Sequence, residues 1–463
     1  MCGRPRTRAR ARRATKRARV SPSAVTALVY PQRDAGAPQH LLKTSRDVCR
    51  HRSREEYDDG TMSVQHVYDD GLCTQCGACA ALCPKEGIDL PWDAERGYRV
   101  VVRAEACNDC GHCLTVCPGP GIDFSPGAWW RGDEATPAPD FLGPWRGLWF
   151  GWATDPGIRH AGASGGVATA ILQGALERGV VDGVLLVGSD PGNALATVPV
   201  LARTADEVAA CRGSQYNVAA VDLLLRRVMD EPGRYALVGL PCHIHALRLA
   251  QRHSRRLRER VVFALGIFCG LTAEPRATAL AARRSGVEPS DLARVAYRGS
   301  GWPGGLRLET SAGEVREVPY PDYYDEYVAA CTPSRCRLCP DALAELADVS
   351  VGDAWLDRFT GSDGVSDLIA RTDTGDRLIR ELEPAWLTLT EATPEDMVAS
   401  QSETHRVKRR VFRGRMWLRG LAGRAVPRYP GLRTTPSPGE AAAGIADLTR
   451  ELVYRGLGRL RYR

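Results

Sequence analysis

The sequence predicts a small α+β unit near the N-terminus, followed by a larger α/β domain. A cysteine-rich segment that repeats itself between residues 73 and 118 indicates the first unit. Short β-rich runs that alternate with helical patterns from Leu148 onward indicate the second. A hydrophobic content of 44% over 463 residues is enough to form two folded cores. No run of about 18 apolar residues occurs, so we expect no membrane-spanning segment.

The first 61 residues hold most of the positive charge. They contain 15 basic and 6 acidic side chains, whereas the whole chain has a formal net charge of +7. Residues 4–19 show neither an apolar helix face nor a signal-peptide core, so we predict that 1–61 is a disordered basic tail, either an upstream start-site artefact or a dispensable segment. An organellar import signal is the alternative interpretation. Because the remaining residues have a slightly negative total charge, we expect no nucleic-acid partner.

The cysteine repeat has a spacing typical of iron-sulfur proteins. Two runs of the form C-x-x-C-x-x-C-x-x-x-C-P lie 34 residues apart. Three closely spaced thiolates bind one cubane cluster, and the fourth, before a proline, completes the cluster of the other repeat. The first 4Fe-4S cluster is therefore assigned to Cys73, Cys76, Cys79 and Cys117, and the second to Cys107, Cys110, Cys113 and Cys83. Zinc and disulfide bonds are the competing interpretations. We place this ferredoxin-like dicluster unit at residues 62–124.

The larger domain is predicted at residues 148–410, after a Pro-, Gly- and Trp-rich linker at 125–147. Helices are expected from about Gly165, from Val218 to Met229 and from about His243. Residues 411–463 form a basic helical extension. The helical spacing of basic and aromatic side chains within residues 405–463 favours a helix on an acidic partner, on its own domain or at an anionic membrane surface. The residues with this spacing are Arg406, Arg409, Arg410, Arg413 and Trp417.

Two segments of the larger domain are candidate cofactor-binding sites. The first consists of Ser164, Gly165 and Gly166. It precedes a predicted helix, where free N–H groups favour an anion such as a cofactor phosphate, although plain helix capping is the alternative. The second consists of Arg212, Gly213, Ser214, Gln215 and Tyr216. Its cation, flexible backbone and aromatic ring suit a nucleotide, and a surface turn is equally compatible.

Pro241 and Cys242 mark a helix start after an apolar strand. A thiol at a helix N-terminus has a lowered pKa and can face a redox ligand, which makes Cys242 the candidate catalytic residue. A buried, inert cysteine is the alternative. His243 and His245 do not share a helix face, so we predict no metal site there.

The remaining cysteines suggest a third cluster. Three close thiols and one distant thiol make a further 4Fe-4S site plausible, with zinc as the alternative for the same number of ligands. These residues are Cys269, Cys331, Cys336 and Cys339. Cys2, Cys49 and Cys211 fit no cluster.

Six segments of the larger domain, taken in order, resemble the coenzyme F420 hydrogenase/dehydrogenase beta-subunit family. They are ASGGVATAIL (163–172), RGSQY (212–216), VGLPCHIHALR (238–248), LGIFCG (265–270), CTPSRCRLCP (331–340) and VSVGDAW (349–355). The resemblance covers about residues 148–410. It implies a domain that binds FAD and one 4Fe-4S cluster and exchanges electrons with a reduced deazaflavin. It also implies that Cys269, Cys331, Cys336 and Cys339 are ligands, and that the segments around 164–166 and 213–216 contact FAD.

Together with the dicluster unit, the chain is similar to the electron-input subunits of F420H2 dehydrogenases and to 7-hydroxymethyl chlorophyll a reductases. One departure is Gln215, where the family usually has Lys, so that a cation is missing from the flavin or deazaflavin site. Residues 297–305 (YRGSGWPGG) resemble members encoded near surface-polysaccharide genes. These features leave the substrate open.

The resemblance implies a cytoplasmic, FAD-dependent oxidoreductase that converts between two-electron and one-electron transfer. The expected two-electron partner is coenzyme F420 or another small-molecule hydride carrier or unsaturated substrate. The expected one-electron partner is a redox protein such as ferredoxin or a complex subunit. Cys242 would tune the flavin or donate a proton. The alternatives are a non-catalytic electron-transfer subunit and a ferredoxin-dependent reductase associated with polysaccharide biosynthesis.

Overall fold

A computed structural model describes residues 62–129, 141–324 and 330–461. The basic tail predicted at 1–61, with Cys2 and Cys49, lies outside the described residues.

The small domain folds its two cysteine runs into similar turns. Gly77 (φ +93°) and Gly111 (φ +69°) each precede a one-turn helix, and glycine adopts this left-handed conformation at the lowest cost. The helices of this domain are α1 (Val64–Asp69), α2 (Ala78–Ala81) and α3 (His112–Thr115). Its strands, β1 (Ile88–Asp89), β2 (Trp92–Asp93), β3 (Gly97–Tyr98) and β4 (Val101–Val102), form the antiparallel pairs β1–β4 and β2–β3.

The large domain is built on an eight-stranded mixed sheet. Its strand order is β15-β5-β14-β13-β9-β8-β6-β7, while β10, β11 and β12 form a separate antiparallel sheet. The strands are β5 (Gly147–Ala153), β6 (Gly183–Asp190), β7 (Asn193–Ala202), β8 (Tyr235–Gly239), β9 (Val261–Ile267), β10 (Leu292–Ala296), β11 (Gly305–Thr310), β12 (Val315–Pro319), β13 (Val349–Asp353), β14 (Ser366–Ala370) and β15 (Leu387–Glu391).

The four central strands β13, β9, β8 and β6 run parallel, and antiparallel strands close both edges. Phe263 and Leu265 on β9 point to one buried cluster, and Ala264 points to another on the opposite face. A strand buried on both faces explains the continuous apolar run of this segment. The α/β class predicted for this domain is confirmed.

Helices cover both faces of the sheet. They are α4 (Pro156–Ala161), α5 (Val167–Glu177), α6 (Ala205–Ala210), α7 (Leu225–Asp230), α8 (Pro241–His253), α9 (Arg255–Arg260), α10 (Arg276–Arg284), α11 (Asp373–Leu382), α12 (Pro394–Ser400), α13 (Ser402–His405), α14 (Phe412–Leu421) and α15 (Pro438–Arg461). The helix expected at 218–229 is divided into a 3₁₀ turn at Val221–Leu224 and α7.

The end of the predicted linker belongs to the large domain. Phe141 and Leu142 are 2% and 0% exposed, and β5 begins at Gly147. The buried Arg371 guanidinium donates to the carbonyls of Leu142 (3.0 Å) and Pro144 (2.9 Å). This segment is therefore fixed on the large domain, because two of its backbone oxygens satisfy a buried cation.

The small domain shares its hydrophobic core with the large one. Leu72 packs in the same buried cluster as Leu225 and Ile244 of the large domain and Phe412 of the C-terminal helices. The Phe124 N–H also donates to the Pro430 carbonyl (2.7 Å). The two cysteine-bearing regions are consequently held in a fixed relation to each other.

The basic C-terminal residues pack on the protein itself. The π-helical turn Arg406–Val411 continues into α14, so the predicted boundary at residue 411 falls within a continuous helix. Arg409 and Arg413 are buried and form ion pairs with Glu345 (3.0 Å) and Glu440 (2.8 Å). The sequence analysis favoured an acidic partner, the protein's own domain or an anionic membrane surface as the location of this helix, and the helix packs on its own domain. Within the described ranges, no helix combines the length and apolar character that a bilayer crossing requires.

Candidate redox site

The structure gathers the first four cysteines that the sequence analysis groups together. Burial raises the pKa of the Cys79 thiol well above its usual range, and repulsion from Cys117, Cys76 and Cys73 raises it further. The same four residues line a small cavity of about 20 Å³. We name Cys73, Cys76, Cys79 and Cys117 the first cysteine group.

The second four cysteines also meet across the repeat. Burial raises the pKa of the Cys113 thiol, and repulsion from Cys107, Cys83 and Cys110 adds to the effect. Cys110 is exposed at the surface of the protein. Cys113 also interacts electrostatically with Cys79, which places the first group beside this second cysteine group.

The third group differs from the one predicted. Burial and repulsion from Cys269, Cys336 and Cys339 raise the pKa of the Cys242 thiol well above its usual range. The expected lowering of this pKa is therefore wrong, because removal of the thiol from water outweighs the field of one helix terminus. We name Cys242, Cys269, Cys336 and Cys339 the third cysteine group.

Cys331 lies apart from these thiols. It packs with Ala273 and Ala277, and the charged groups with the largest effect on its pKa are Arg276 and Glu274. Its carbonyl accepts a hydrogen bond from the Glu274 N–H (2.8 Å), which holds it beside α10. The spacing of Cys331, Cys336 and Cys339 suggested a common site, but Cys336 and Cys339 lie in and directly after the 3₁₀ turn Ser334–Leu338, whereas Cys331 lies before it and packs beside α10.

The third cysteine group lies next to the first. Cys76 is among the residues whose charge raises the pKa of Cys242. The three groups therefore form a continuous series from the exposed Cys110 to the interior of the large domain. Within the residues described here, no three Cys, His, Asp or Glu side chains converge so as to hold a single metal ion.

Buried cations surround the third cysteine group. Lys408 is 2% exposed, and the negative charges of Cys339, Cys269 and Cys336 raise its pKa against the opposing effect of burial. Arg335 is also buried near Cys339 and Cys336. A buried ammonium requires an anion, and thiolates around a 4Fe-4S cluster provide one. The residues present therefore fit such a cluster.

A cavity of about 620 Å³ opens beside the third cysteine group. Cys269, Cys336, Cys339 and Lys408 form one side of it, whereas Cys242 does not line it. The thiol proposed as catalytic from the sequence therefore faces the other thiols, not the cavity. The volume is within the range of small-molecule sites, about 300–1,000 Å³.

Most of the predicted cofactor-binding residues line this cavity. The wall includes Ser164, Gly166, Arg212, Gly213, Ser214, Gln215 and Tyr216. Gly166 (φ +74°) caps the N-terminus of α5, whose first N–H groups are available to an anion. Gly165 and Pro241 do not line it. A Cβ at Gly165 would lie 2.6 Å from the Gly151 carbonyl oxygen, so this glycine serves strand packing.

A further part of the cavity wall is aromatic, and the sequence analysis did not predict its residues as site residues. Tyr320 stacks on Trp355 (centroids 5.3 Å apart, planes at 17°), and Trp302 lies 5.2 Å from Trp355. Arg298 is 5% exposed and donates to Asp353 (2.7 Å) and to the Tyr216 hydroxyl (3.2 Å). Most of them lie in the segments 297–305 and 349–355 that the sequence analysis quotes, but only the fold brings these distant segments together. Trp355 is 37% exposed, so part of its side chain is accessible to solvent.

A buried carboxyl lies behind the cavity wall. Asp367 on β14 accepts hydrogen bonds from the Ser400 hydroxyl (2.7 Å) and the Gln401 side-chain amide (2.9 Å), and both donors line the cavity. Burial raises the pKa of Asp367 to about 8. This carboxyl is therefore mainly protonated at neutral pH.

The fold and the site together define an iron-sulfur electron-transfer protein: a dicluster domain joined to an α/β domain with a ligand cavity. Residues 72–119 match the 4Fe-4S dicluster domain. Residues 148–226 and 233–395 match the N-terminal and C-terminal parts of the coenzyme F420 hydrogenase/dehydrogenase beta subunit. The chain belongs to this family of oxidoreductase subunits, which confirms the resemblance seen in its sequence motifs.

Several curated relatives are similar to the chain. The beta subunit of the coenzyme F420 hydrogenase of Methanothermobacter thermautotrophicus is 27% identical, over 52% of this chain and 82% of the relative. A subunit of the F(420)H(2) dehydrogenase of Methanosarcina mazei is 27% identical, over 46% of this chain and 57% of the relative. The chloroplastic 7-hydroxymethyl chlorophyll a reductase of Oryza sativa subsp. japonica is 27% identical, over 42% of this chain and 41% of the relative.

One solved structure, the F420-reducing [NiFe] hydrogenase complex from Methanosarcina barkeri, contains a chain that is 21% identical with a TM-score of 0.49. The similarity covers 65% of the present chain and 99% of that chain.

Proposed function

We propose that this protein transfers electrons between a two-electron carrier bound in the cavity and a one-electron partner at the surface near Cys110. The observation that carries the proposal is the continuous series of cysteine groups. The second group has an exposed member, the first group lies between the other two, and the third borders the cavity. Three 4Fe-4S clusters at these positions would form a one-electron path.

We assign FAD to the cavity. Bound there, FAD would supply the conversion between hydride transfer and single-electron transfer. The N-terminus of α5 and the exposed Arg212 offer positive charge for its phosphates. Gln215 is held at the wall by its amide, which donates to the Ser189 hydroxyl (3.0 Å). Tyr216 and Arg298 hold each other in place through their hydrogen bond, which keeps the wall in one conformation.

We assign the two-electron partner to the aromatic wall. Reduced coenzyme F420 is the first candidate, because the F420-linked relatives match about half of the chain. A planar conjugated ring suits the stacked surface of Tyr320 and Trp355. An unsaturated substrate that is reduced with electrons from ferredoxin is the second candidate, favoured by the match to 7-hydroxymethyl chlorophyll a reductase and by the exposed Cys110.

Anaerobic reconstitution tests this assignment. We expect about twelve irons and one FAD per chain from three cubanes and one flavin. Bleaching of the flavin absorbance by reduced F420 supports the first candidate, and bleaching only by reduced ferredoxin supports the second. A preparation that takes up eight irons and no flavin would refute the proposed site in the large domain.

If the isolated chain oxidises no small-molecule donor although its clusters and flavin are reduced chemically, the chemistry belongs to a partner chain. The protein would then be an electron-transfer subunit. Adding candidate partner subunits to the same assay separates that outcome from an inactive preparation.

A further inference from the structure

Lys408 occupies an unusual position for a lysine in this protein. The chain has 62 basic residues, and only four of them are lysines. Lys408 lies in the π-helical turn Arg406–Val411, and only 2% of its surface is exposed. It also lines the cavity beside Cys269, Cys336 and Cys339. Turns of π-helix inside longer helices are frequent at functional sites.

The ammonium of Lys408 has no carboxylate of its own. Among the described residues it forms no hydrogen bond and no ion pair, and its electrostatic partners are Cys339, Cys269, Cys336 and then Asp341. Asp341 is engaged elsewhere, since its carboxylate is 2.8 Å from the His245 ring nitrogen and accepts from the Glu345 N–H (3.1 Å). The thiols are therefore the main counter-charge of Lys408.

The other buried cations nearby already have partners. Arg409 pairs with Glu345, and the Arg335 guanidinium donates to the carbonyls of Gly119 and Pro118 (both 3.0 Å). Their charges serve to hold the C-terminal helix and the small domain on the large one. Lys408 differs from them because its ammonium is left for the third cysteine group.

We propose that Lys408 sets the reduction potential of the third cluster, an inference that rests on the cluster site of the proposed function. The cluster gains one negative charge on reduction. A fixed positive charge in a water-poor site stabilises the more negative state more strongly, so the ammonium raises the potential. The positive charge of Lys408 thus makes the third cluster a better acceptor of electrons from a carrier bound in the cavity.

A redox titration of the full chain tests the role of Lys408. Reconstituted protein is reduced stepwise with dithionite, and the reduced clusters are followed by EPR. The signal that is absent from Cys336→Ser identifies the third cluster. In Lys408→Met, we expect the ratio of reduced to oxidised third cluster, measured at the wild-type midpoint potential, to fall at least tenfold. This fall corresponds to a shift of the midpoint potential by about 59 mV to a more negative value. The other two signals should not move.

Three further variants complete the experiment. Lys408→Arg keeps the positive charge and should restore most of the shift. Lys85→Met removes a lysine that is exposed beside the second cysteine group, and it should leave the third signal unchanged. If Lys408→Met loses the signal, Lys408→Gln replaces it in the titration.

An unchanged midpoint in the neutral variants would overturn the role of Lys408 while leaving the cluster in place. A wild-type protein with eight irons and no third signal would instead refute the proposed cluster, and the inference would fall with it. The iron count of the wild type therefore separates the two failures.

Discussion

The identity of the fourth ligand of the third cluster gives the sharpest prediction. The structure places Cys242 with Cys269, Cys336 and Cys339, whereas Cys331 lies among Ala273 and Ala277 beside α10. Replacing Cys242 by serine should therefore remove one corner ligand of a cubane. Replacing Cys331 should remove only a buried side-chain contact.

The expected magnitudes follow from this difference. Cys242→Ser should reduce the iron content from about twelve to between about eight and eleven per chain, because a cubane that lacks one thiolate loses either its unsupported iron or the whole cluster. Cys331→Ser should retain about twelve irons. Its hydroxyl would be buried in an apolar environment, which should lower the free energy of unfolding by about 1–3 kcal/mol.

Iron and sulfide analysis under anaerobic conditions, together with EPR of the reduced protein, measures these outcomes. Cys211→Ser is a control for removal of a cysteine outside all three groups. Iron loss in Cys331→Ser with full retention in Cys242→Ser would refute the grouping and restore the ligand set expected from the sequence.

Three further predictions concern the cavity and the C-terminal helices. Because the folded-state pKa of Asp367 is raised to about 8, the folded protein binds one more proton than the unfolded chain between about pH 4 and pH 8, so its stability falls as pH rises. In the wild type, the free energy of unfolding should fall by up to about 1.4 kcal/mol per pH unit through this group, and Asp367→Asn should remove that contribution. Denaturation measured from pH 5 to 8 tests this, and an identical slope in both proteins contradicts it. Trp355→Ala should weaken binding of reduced F420 by about two- to tenfold in a fluorescence titration, because an aromatic contact contributes about 0.5–1.5 kcal/mol, whereas the exposed Trp417→Ala should leave binding unchanged. Equal affinities for these two variants would rule out the stacking surface. Gly414→Ala should lower the free energy of unfolding by about 1–3 kcal/mol, since its Cβ would lie 2.7 Å from a backbone atom of α15. In the control Gly439→Ala, the new Cβ meets no atom within 4 Å, so stability should not change. Equal thermal midpoints for the two variants would contradict the close helix contact.

The sequence alone determined the features that depend on short chain distances. The two cysteine runs and the proline after each fourth thiol led to the same two groups that the structure assembles, since three thiols on one tight turn have few other arrangements. The alternation of strands and helices also predicted the α/β class. Gly166 at the start of α5 followed from local capping rules.

Only the tertiary structure decided which distant residues share a site. Cys242 reaches Cys269 because β8 and β9 are parallel neighbours in the sheet, α8 begins at the end of β8, and Cys269 follows the end of β9. Lys408 reaches the same site from a helix that starts beyond β15. Chain spacing carries no information on such contacts, because they depend on strand order and on how the C-terminal helices pack. Close spacing therefore overstated the role of Cys331, and the burial of Lys408 could not be inferred from its basic neighbours.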